Sequence, residues 1–456
     1  MTKVFHGISV LEDNSGPKQV RVTGTSVIGI IGTAANANAT KWPENKPFLI
    51  SKHPDEFKGN ETLGDTGSLV TGLRAIFDTC PTFVVGIRVA TEDDVAAAVP
   101  LFEKAGSIAK MVPKILCTNG HTKKVAAASK KNEPESKPDE LEKLLSDEDV
   151  SNAEAVDTDN EESVNTEEAE SDSQATDPQP SQPVATSTMT ADPVAQAFSN
   201  TAEKIRAIVV CDIPVGSSDS DTAGHTLANV DDFFTGISNK RIYPVWGSTL
   251  PVNPPAASKK SAPVSVSASA VVAATICKND TERAWSRSPS NMPIRSILGV
   301  NYPVSFSLTD PTSEADQLNK KGVACIINYR GEFRLWGNCG LGIRTDTEWQ
   351  FINIVRTYDI MLDSLLESSM WAMDRGIRST YVDDVAISQN IFYSRLKREG
   401  HITDAECIPG VKETTEDAVR AGDVFWKIKW CGVYPANRLN FTTKMETAYL
   451  KDIFSV

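Results

Sequence analysis

Between Phe102 and Phe198 the chain contains no Phe, Trp or Tyr, and residues 129–191 are dominated by Glu, Asp, Ser, Thr, Pro and Ala. Such a segment buries too little apolar surface to offset its ordering entropy, so it is expected to be disordered and the rest of the chain must fold around it. Its flanks indicate how. Before it, residues 112–120 form a short apolar run ending in a turn signal, the pattern of a buried strand. After it, Asp192-Pro193 opens a predicted helix to about Lys204, and residues 206–212 read as a second buried strand. With the acidic stretch set aside, a strand–helix–strand unit remains, the parallel right-handed unit of an α/β sheet. The stretch is therefore read as an insertion into one loop of a continuous domain, tolerated because closure entropy grows slowly with loop length.

The same stretch explains the charge. The 456-residue chain carries −14, yet residues 133–177 alone hold 18 acids and two bases, so the remainder is close to neutral at +2. A basic nucleic-acid surface is not indicated, and no nucleic-acid partner is expected. The longest low-charge stretch, residues 263–277, falls short of the roughly 20 residues of a membrane span, so no membrane insertion is expected. Residues 1–7 lack an apolar h-region, so no secretory leader is expected. The eight cysteines are far apart with no C-x-x-C pair, which fits reduced thiols.

Further elements follow from periodicity. Residues 26–32 and 83–89 read as buried strands, and residues 93–108 as one helix with Val95, Val99, Leu101, Phe102 and Ile108 on its apolar face. Residues 249–267, rich in Pro, Ser and Ala, read as a surface connection. Phe351, Val355, Tyr358, Leu362, Leu365 and Met373 fall at helical spacing between residues 348 and 375, and a second helix is expected over 383–399. Val424, Trp426, Ile428 and Trp430 alternate as a half-buried strand, and Leu439 to Tyr449 repeats the pattern.

Catalytic motifs weaken on inspection. The segment from Gly24 to Ile31 has the glycine spacing of a phosphate loop, but Ile30 and Ile31 stand where the Lys and hydroxyl residue belong. Asp212, Asp219, Asp221 and His225, with Ser217, Ser218 and Ser220, form the best acid–histidine cluster, the basis of a soluble α/β enzyme as one alternative; a solvated loop is the other. The five histidines share no zinc-ligand spacing. No catalytic residue, cofactor or metal is assigned. The positive feature lies at the two ends, where apolar residues alternate: Val4, Ile8 and Val10, with Phe5 on the opposite face, and Leu439, Phe441, Met445 and Tyr449, followed by Leu450. Such strands either complete the chain's own sheet or pair with another chain, and the second option propagates into a ring or a helix.

Several segments resemble the tail sheath proteins of contractile-tailed bacteriophages. They are His6-Gly7-Ile8-Ser9-Val10, the run from Thr25 to Ala34, Asn45 to Ile50, Pro113 to Leu116 and Lys204 to Ala207. The most specific is Trp285-Ser286-Arg287-Ser288-Pro289-Ser290-Asn291, followed by Gln317 to Val323 and Gly331 to Asn338. Where the family continues Trp-Gly-Asn with Arg-Thr, this chain has Cys339-Gly340, and the acidic insertion has no family counterpart. The resemblance implies a non-enzymatic structural subunit that polymerises in stacked helical rings around a tail tube and contracts to drive that tube through the host envelope for genome delivery. It implies an α/β fold of several domains: sandwich-type cores with parallel or mixed sheets, extended N- and C-terminal strand arms and the disordered insertion. The expected parts are a strand arm (1–20), an N-terminal core part (21–90), a middle domain (91–300) holding the insertion (129–191), a C-terminal domain (301–438) and a final arm (439–456). Expected partners are further copies of the chain, the tube, the baseplate and the tail terminator, in a virion assembled in the host cytoplasm. Arg395, Lys397 and Arg398 are expected against the tube, the alternative being a solvated helix face. A phage-derived bacteriocin or other injection particle would use the same subunit.

Overall fold

A computed structural model of the protein describes residues 24–123, 191–216, 224–254 and 262–447. The acidic insertion lies outside them, as do Val4, Phe5, Ile8, Val10, Tyr449 and Leu450 of the arms and Ser217, Ser218, Asp219, Ser220 and Asp221 of the acid–histidine cluster.

Six strands form the central sheet: β1 (Val27–Thr33), β2 (Pro47–Ile50), β3 (Phe83–Val89), β4 (Ile115–Cys117), β5 (Ile208–Ile213) and β6 (Ile242–Trp246), in the order β2-β3-β1-β4-β5-β6. All neighbours are parallel except β2, which runs antiparallel to β3 at the edge. Ile28 sits between Val84 and Ile115, and Ile115 faces Ile208 on its other side. These strands are largely apolar, with Arg88 and Asp212 the charged exceptions, because helices cover both faces of a parallel sheet. α1 (Ser68–Thr79) and α5 (Ala268–Glu282) pack on one face around Leu69, Leu73, Ile76, Val271 and Val272. α4 (Pro193–Ile205) covers the other with Phe102, Phe198 and Phe233. Gly72 lets α1 approach closely, since a Cβ there would lie 2.3 Å from Asn119 Oδ1 and 2.6 Å from Ile30 Cδ1.

The expected strand–helix–strand unit is present as β4, α4 and β5. Asp192 caps α4 by accepting from Ala195 N at 2.8 Å, with Pro193 in the first turn where no N–H is needed. Two expectations are corrected here. Residues 93–108 do not form one helix: α2 (Val95–Ala98) and α3 (Ala105–Ile108) flank a 3-10 stretch, Val99–Lys104, because Pro100 lacks an N–H and crowds the carbonyl one turn earlier. Within the 249–267 connection, β7 (Thr249–Val252) and β8 (Val264–Ser267) pair antiparallel and feed directly into α5.

Beyond α5 come α6 (Glu314–Lys320) and a hairpin of β9 (Cys325–Tyr329) and β10 (Glu332–Trp336). Its two-residue turn, Arg330-Gly331, has both φ values positive, at 54° and 84°, as a primed hairpin turn requires. The remainder comprises α7 (Gly342–Thr345), α8 (Ile352–Ser369), α9 (Ser379–Arg398), β11 (Ile402–Pro409), α10 (Glu416–Ala421) and β12 (Trp426–Gly432). α8 ends at Ser369 and passes into a 3-10 turn, short of the expected 375. β11 and β12 pair antiparallel, and Trp426, Ile428 and Trp430 turn inward as the alternation predicts. Of the two options for the run from Leu439, completion of the chain's own sheet is not seen: among the described residues, 433–446 join no ladder. Alternation says which residues share a face, but a strand forms only where a second backbone supplies its hydrogen bonds.

Candidate functional site

Asp212 lies at the carboxyl end of β5, fully buried. One carboxylate oxygen accepts from Ser269 N at 2.7 Å. The other accepts from Ser269 Oγ (2.5 Å), Gly120 N (2.7 Å), Ser267 Oγ (2.8 Å) and Thr118 Oγ1 (3.0 Å). Burial pushes its pKa up, opposed by the bonds from Ser269, Gly120 and Ser267. With five donors on a fully buried carboxylate, Asp212 stitches β4, β5 and the start of α5 together. His225, also fully buried, bridges to Val215 and meets Phe233 edge-on at 5.6 Å. Among the described residues no group of three His, Cys, Asp or Glu side chains is arranged to hold a metal, and no helix is long and apolar enough to cross a membrane.

The exposed chemistry lies elsewhere. Of the eighteen large hydrophobic side chains exposed among the described residues, thirteen fall between Leu366 and Met445. Leu439, Phe441 and Met445 are 70%, 84% and 91% exposed. Beside them the β11–β12 sheet has only two strands, so each has an outer edge that pairs with no described strand. On α9, Ile387, Asn390, Ile391, Ser394, Arg395 and Arg398 line an open groove of about 480 Å³. Arg395 pairs with Glu399 at 3.4 Å, and Lys397 with Asp404 at 2.8 Å, a contact that holds the Asp404 carboxyl below its usual range. Arg398 is exposed at the last turn.

The segment from Trp285 to Asn291 anchors this region. The Trp285 ring stacks on His401 at 4.6 Å, and Ser286 Oγ lies 2.9 Å from His401 Nδ1. The Ser286 carbonyl accepts from Asn353 Nδ2 at 3.0 Å, and the Trp285 carbonyl from Arg356 at 3.4 Å. This short run thus holds both α8 and the chain after α9. Its place in the resemblance was readable, but its contacts were not, because its partners lie 67 or more residues away.

Family models now bear on this arrangement. Residues 151–339 match the phage tail sheath protein central domain, and residues 344–446 match the phage tail sheath C-terminal domain. This chain belongs to the phage tail sheath family. It is a structural subunit of a tail sheath. A prophage major tail sheath protein of Pseudomonas aeruginosa strain UCBPP-PA14 is 27% identical over 452 residues, covering 99% of both chains. The tail sheath protein of Escherichia phage P2 is 24% identical over 458 residues, covering 99% of this chain and 98% of its own. Among solved structures, the contracted sheath of an extracellular contractile injection system matches with a TM-score of 0.62 at 13% identity, covering 98% of this sheath subunit and 99% of that chain. The contracted helical sheath of the anti-feeding prophage matches at 0.59 and 14% identity, covering 98% and 100%. At those identities the likeness is one of fold, and the fold is the mixed α/β architecture expected.

Proposed function

We propose that this sheath subunit polymerises as stacked helical rings around a tail tube and that the polymer shortens to drive the tube through a host envelope, delivering a genome. The observation that carries this reading is the exposed apolar segment of Leu439, Phe441 and Met445, which follows a two-stranded sheet whose outer edges pair with no described strand. Each subunit lends its terminal arms, Val4, Phe5, Ile8 and Val10 at one end and Leu439 to Leu450 at the other, to the β11–β12 edges of neighbouring copies. Main-chain hydrogen bonds then persist while contacts between the rigid cores change. The C-terminal domain, 301–438, lies toward the tube and the middle domain away from it, and the sheath ends meet a baseplate and a tail terminator in the virion. No cofactor enters, because the energy resides in the two packings of the cores.

Electron microscopy of the full chain, alone and lacking residues 441–456, tests the polymer. Tubes or stacked rings that vanish on truncation are expected; uniform small particles from both, even when the tube protein is co-expressed, would overturn the reading. The tube contact falls on Arg398 above all, since Arg395 and Lys397 have partners of their own. Reversing all three charges is expected to release the tube while leaving sheath rings, and unchanged attachment would remove those residues from the interface.

A further inference from the structure

Of the eighteen exposed large hydrophobic side chains, five lie outside the C-terminal region, and three of those five meet at one corner of the central sheet. Leu49 on the edge strand β2 is 37% exposed, Phe83 at the start of β3 is 47% and Ile108 at the end of α3 is 49%. Leu49 pairs with Val85, and side chains two apart on β3 share a face, so Leu49 and Phe83 point the same way. On that face Val27 and Val85 share a core with Ala105 and Ala109, and α3 packs against β2. Lysines bracket the patch: Lys46 and Lys52 just beyond the two ends of β2, Lys104 and Lys110 just beyond those of α3, all exposed. Among the described residues no carboxylate pairs with any of the four. The acids closest in sequence, Glu44 and Glu103, are taken by Arg88 at 3.1 Å and by Lys204 at 2.9 Å. An apolar centre inside an unpaired basic rim fits a segment in which apolar residues are followed by acids.

The chain carries such a segment close by. In the N-terminal arm, Ile8, Val10 and Leu11 are followed by Glu12 and Asp13. The arm joins the described chain at Gly24, and the Ser26 carbonyl accepts from Thr82 Oγ1 at 2.5 Å, so the arm emerges one residue from Phe83. The ten residues 14–23 between the acids and Gly24 reach about 35 Å when extended, whereas β2 lies only about 5 Å beyond β3. The acidic insertion is worse placed. It departs after Lys123 at the opposite, carboxyl end of the strands, where Thr122 Oγ1 donates to the Asp212 carbonyl at 2.6 Å.

We infer that in the unassembled subunit residues 8–13 of the N-terminal arm dock on this patch of their own chain, Ile8 and Val10 against Leu49, Phe83 and Ile108, and Glu12 and Asp13 against the lysine rim. The docked arm is withheld from neighbouring copies until assembly begins. The docking stands on the patch and on where the arm emerges; the withholding rests on the strand exchange proposed above.

Cysteine cross-linking in dilute, unassembled full chain tests the docking, with Val10→Cys and Ile108→Cys introduced together and the exposed Cys431 changed to Ser. Mild oxidation is expected to close the intramolecular disulfide at least about tenfold faster than in a control that pairs Val10→Cys with Val411→Cys, an 80% exposed position of the C-terminal domain. Equal rates would overturn the docking. A rate that rises with protein concentration would give the patch to the arm of a second copy and would overturn it too. The withholding is read by light scattering during assembly. Leu49→Glu with Ile108→Glu, both at exposed positions, is expected to shorten the lag at least about threefold by freeing the arm. An unchanged lag beside fast cross-linking would overturn the withholding. A wild type that cross-links but never assembles would count against the strand exchange instead, since the disulfide forms without it.

Discussion

Asp212, weighed in the sequence as one member of an acid–histidine cluster, takes a structural place once its neighbours are known. Its five donors come from the ends of β4 and the start of α5, so removing the carboxylate leaves several buried polar groups without a partner. Asp212→Ala is expected to cost about 3–5 kcal/mol in urea unfolding, and Asp212→Ser, which keeps one acceptor, less. A cost under about 1 kcal/mol for the alanine variant would mean that water replaces the side chain. Glu92 carries the pH dependence. Burial raises its pKa, but hydrogen bonds from His121 and Thr33, the charge of His121 and the bond from Ser68 outweigh that and hold it at about 2 against an ordinary 4.5. Thr33 Oγ1 donates at 2.7 Å and Ser68 Oγ at 2.8 Å, while His121 Nδ1 lies 2.5 Å away. Because the folded pKa is depressed, the stabilisation is complete above about pH 4.5 and is lost as the pH falls toward 2. Tm measured from pH 5 to pH 2 should therefore fall more steeply for wild type than for Glu92→Gln; parallel curves would assign the acid sensitivity to other carboxylates.

At the level of elements, the legible parts were those whose information is local. The strands β1, β3, β4 and β5 are largely apolar runs, broken only by Arg88 in β3 and Asp212 in β5 among charged residues, α4 has an Asp-Pro start, and β12 alternates, so each was visible from a short window. The β7–β8 hairpin was not, because Pro and Ser mask four-residue strands whose only reason to form is each other. The break at Pro100 was readable in principle, yet the apolar spacing of Val95, Val99 and Phe102 survives in the 3-10 stretch and imitated one helix. Least visible was the charged face of α8. Arg356, Asp359 and Asp363 look like a solvated face, and only their partners Asp280, Arg241, Arg206 and Lys114, 76 to 249 residues earlier, reveal a buried one. Breaking one pair tests how that face is held. Arg356→Met strands Asp280 in the interior and is expected to cost about 3–5 kcal/mol, whereas adding Asp280→Leu should restore most of it. Additive losses in the double variant would show that the two residues act separately.

For the whole molecule, the fold divides at one point into a core and an excursion, and that point is closed by the core itself. Lys123 N donates to Asp192 Oδ2 at 2.7 Å, while Oδ1 of the same buried carboxylate caps α4. The chain thus leaves after β4 and returns before α4 through two adjacent backbones pinned by one side chain. Among the described residues the sheet is continuous across this point, with β4 and β5 in register through Ile115 and Ile208. Residues 133–177 place −16 on every subunit, and in a polymer those charges repel over a screening distance of about 8 Å at physiological salt and further at low salt. Deleting residues 133–177 is therefore expected to leave the Tm within about 2 °C of wild type and assembly intact, and to shift assembly toward lower salt by removing the repulsion. Sedimentation of assembled sheath across a salt series reads both consequences. A deletion variant that folds but no longer assembles would show that the acidic segment takes part in the polymer contacts, and one whose salt profile matches wild type would show that its charge is neutralised in the assembly.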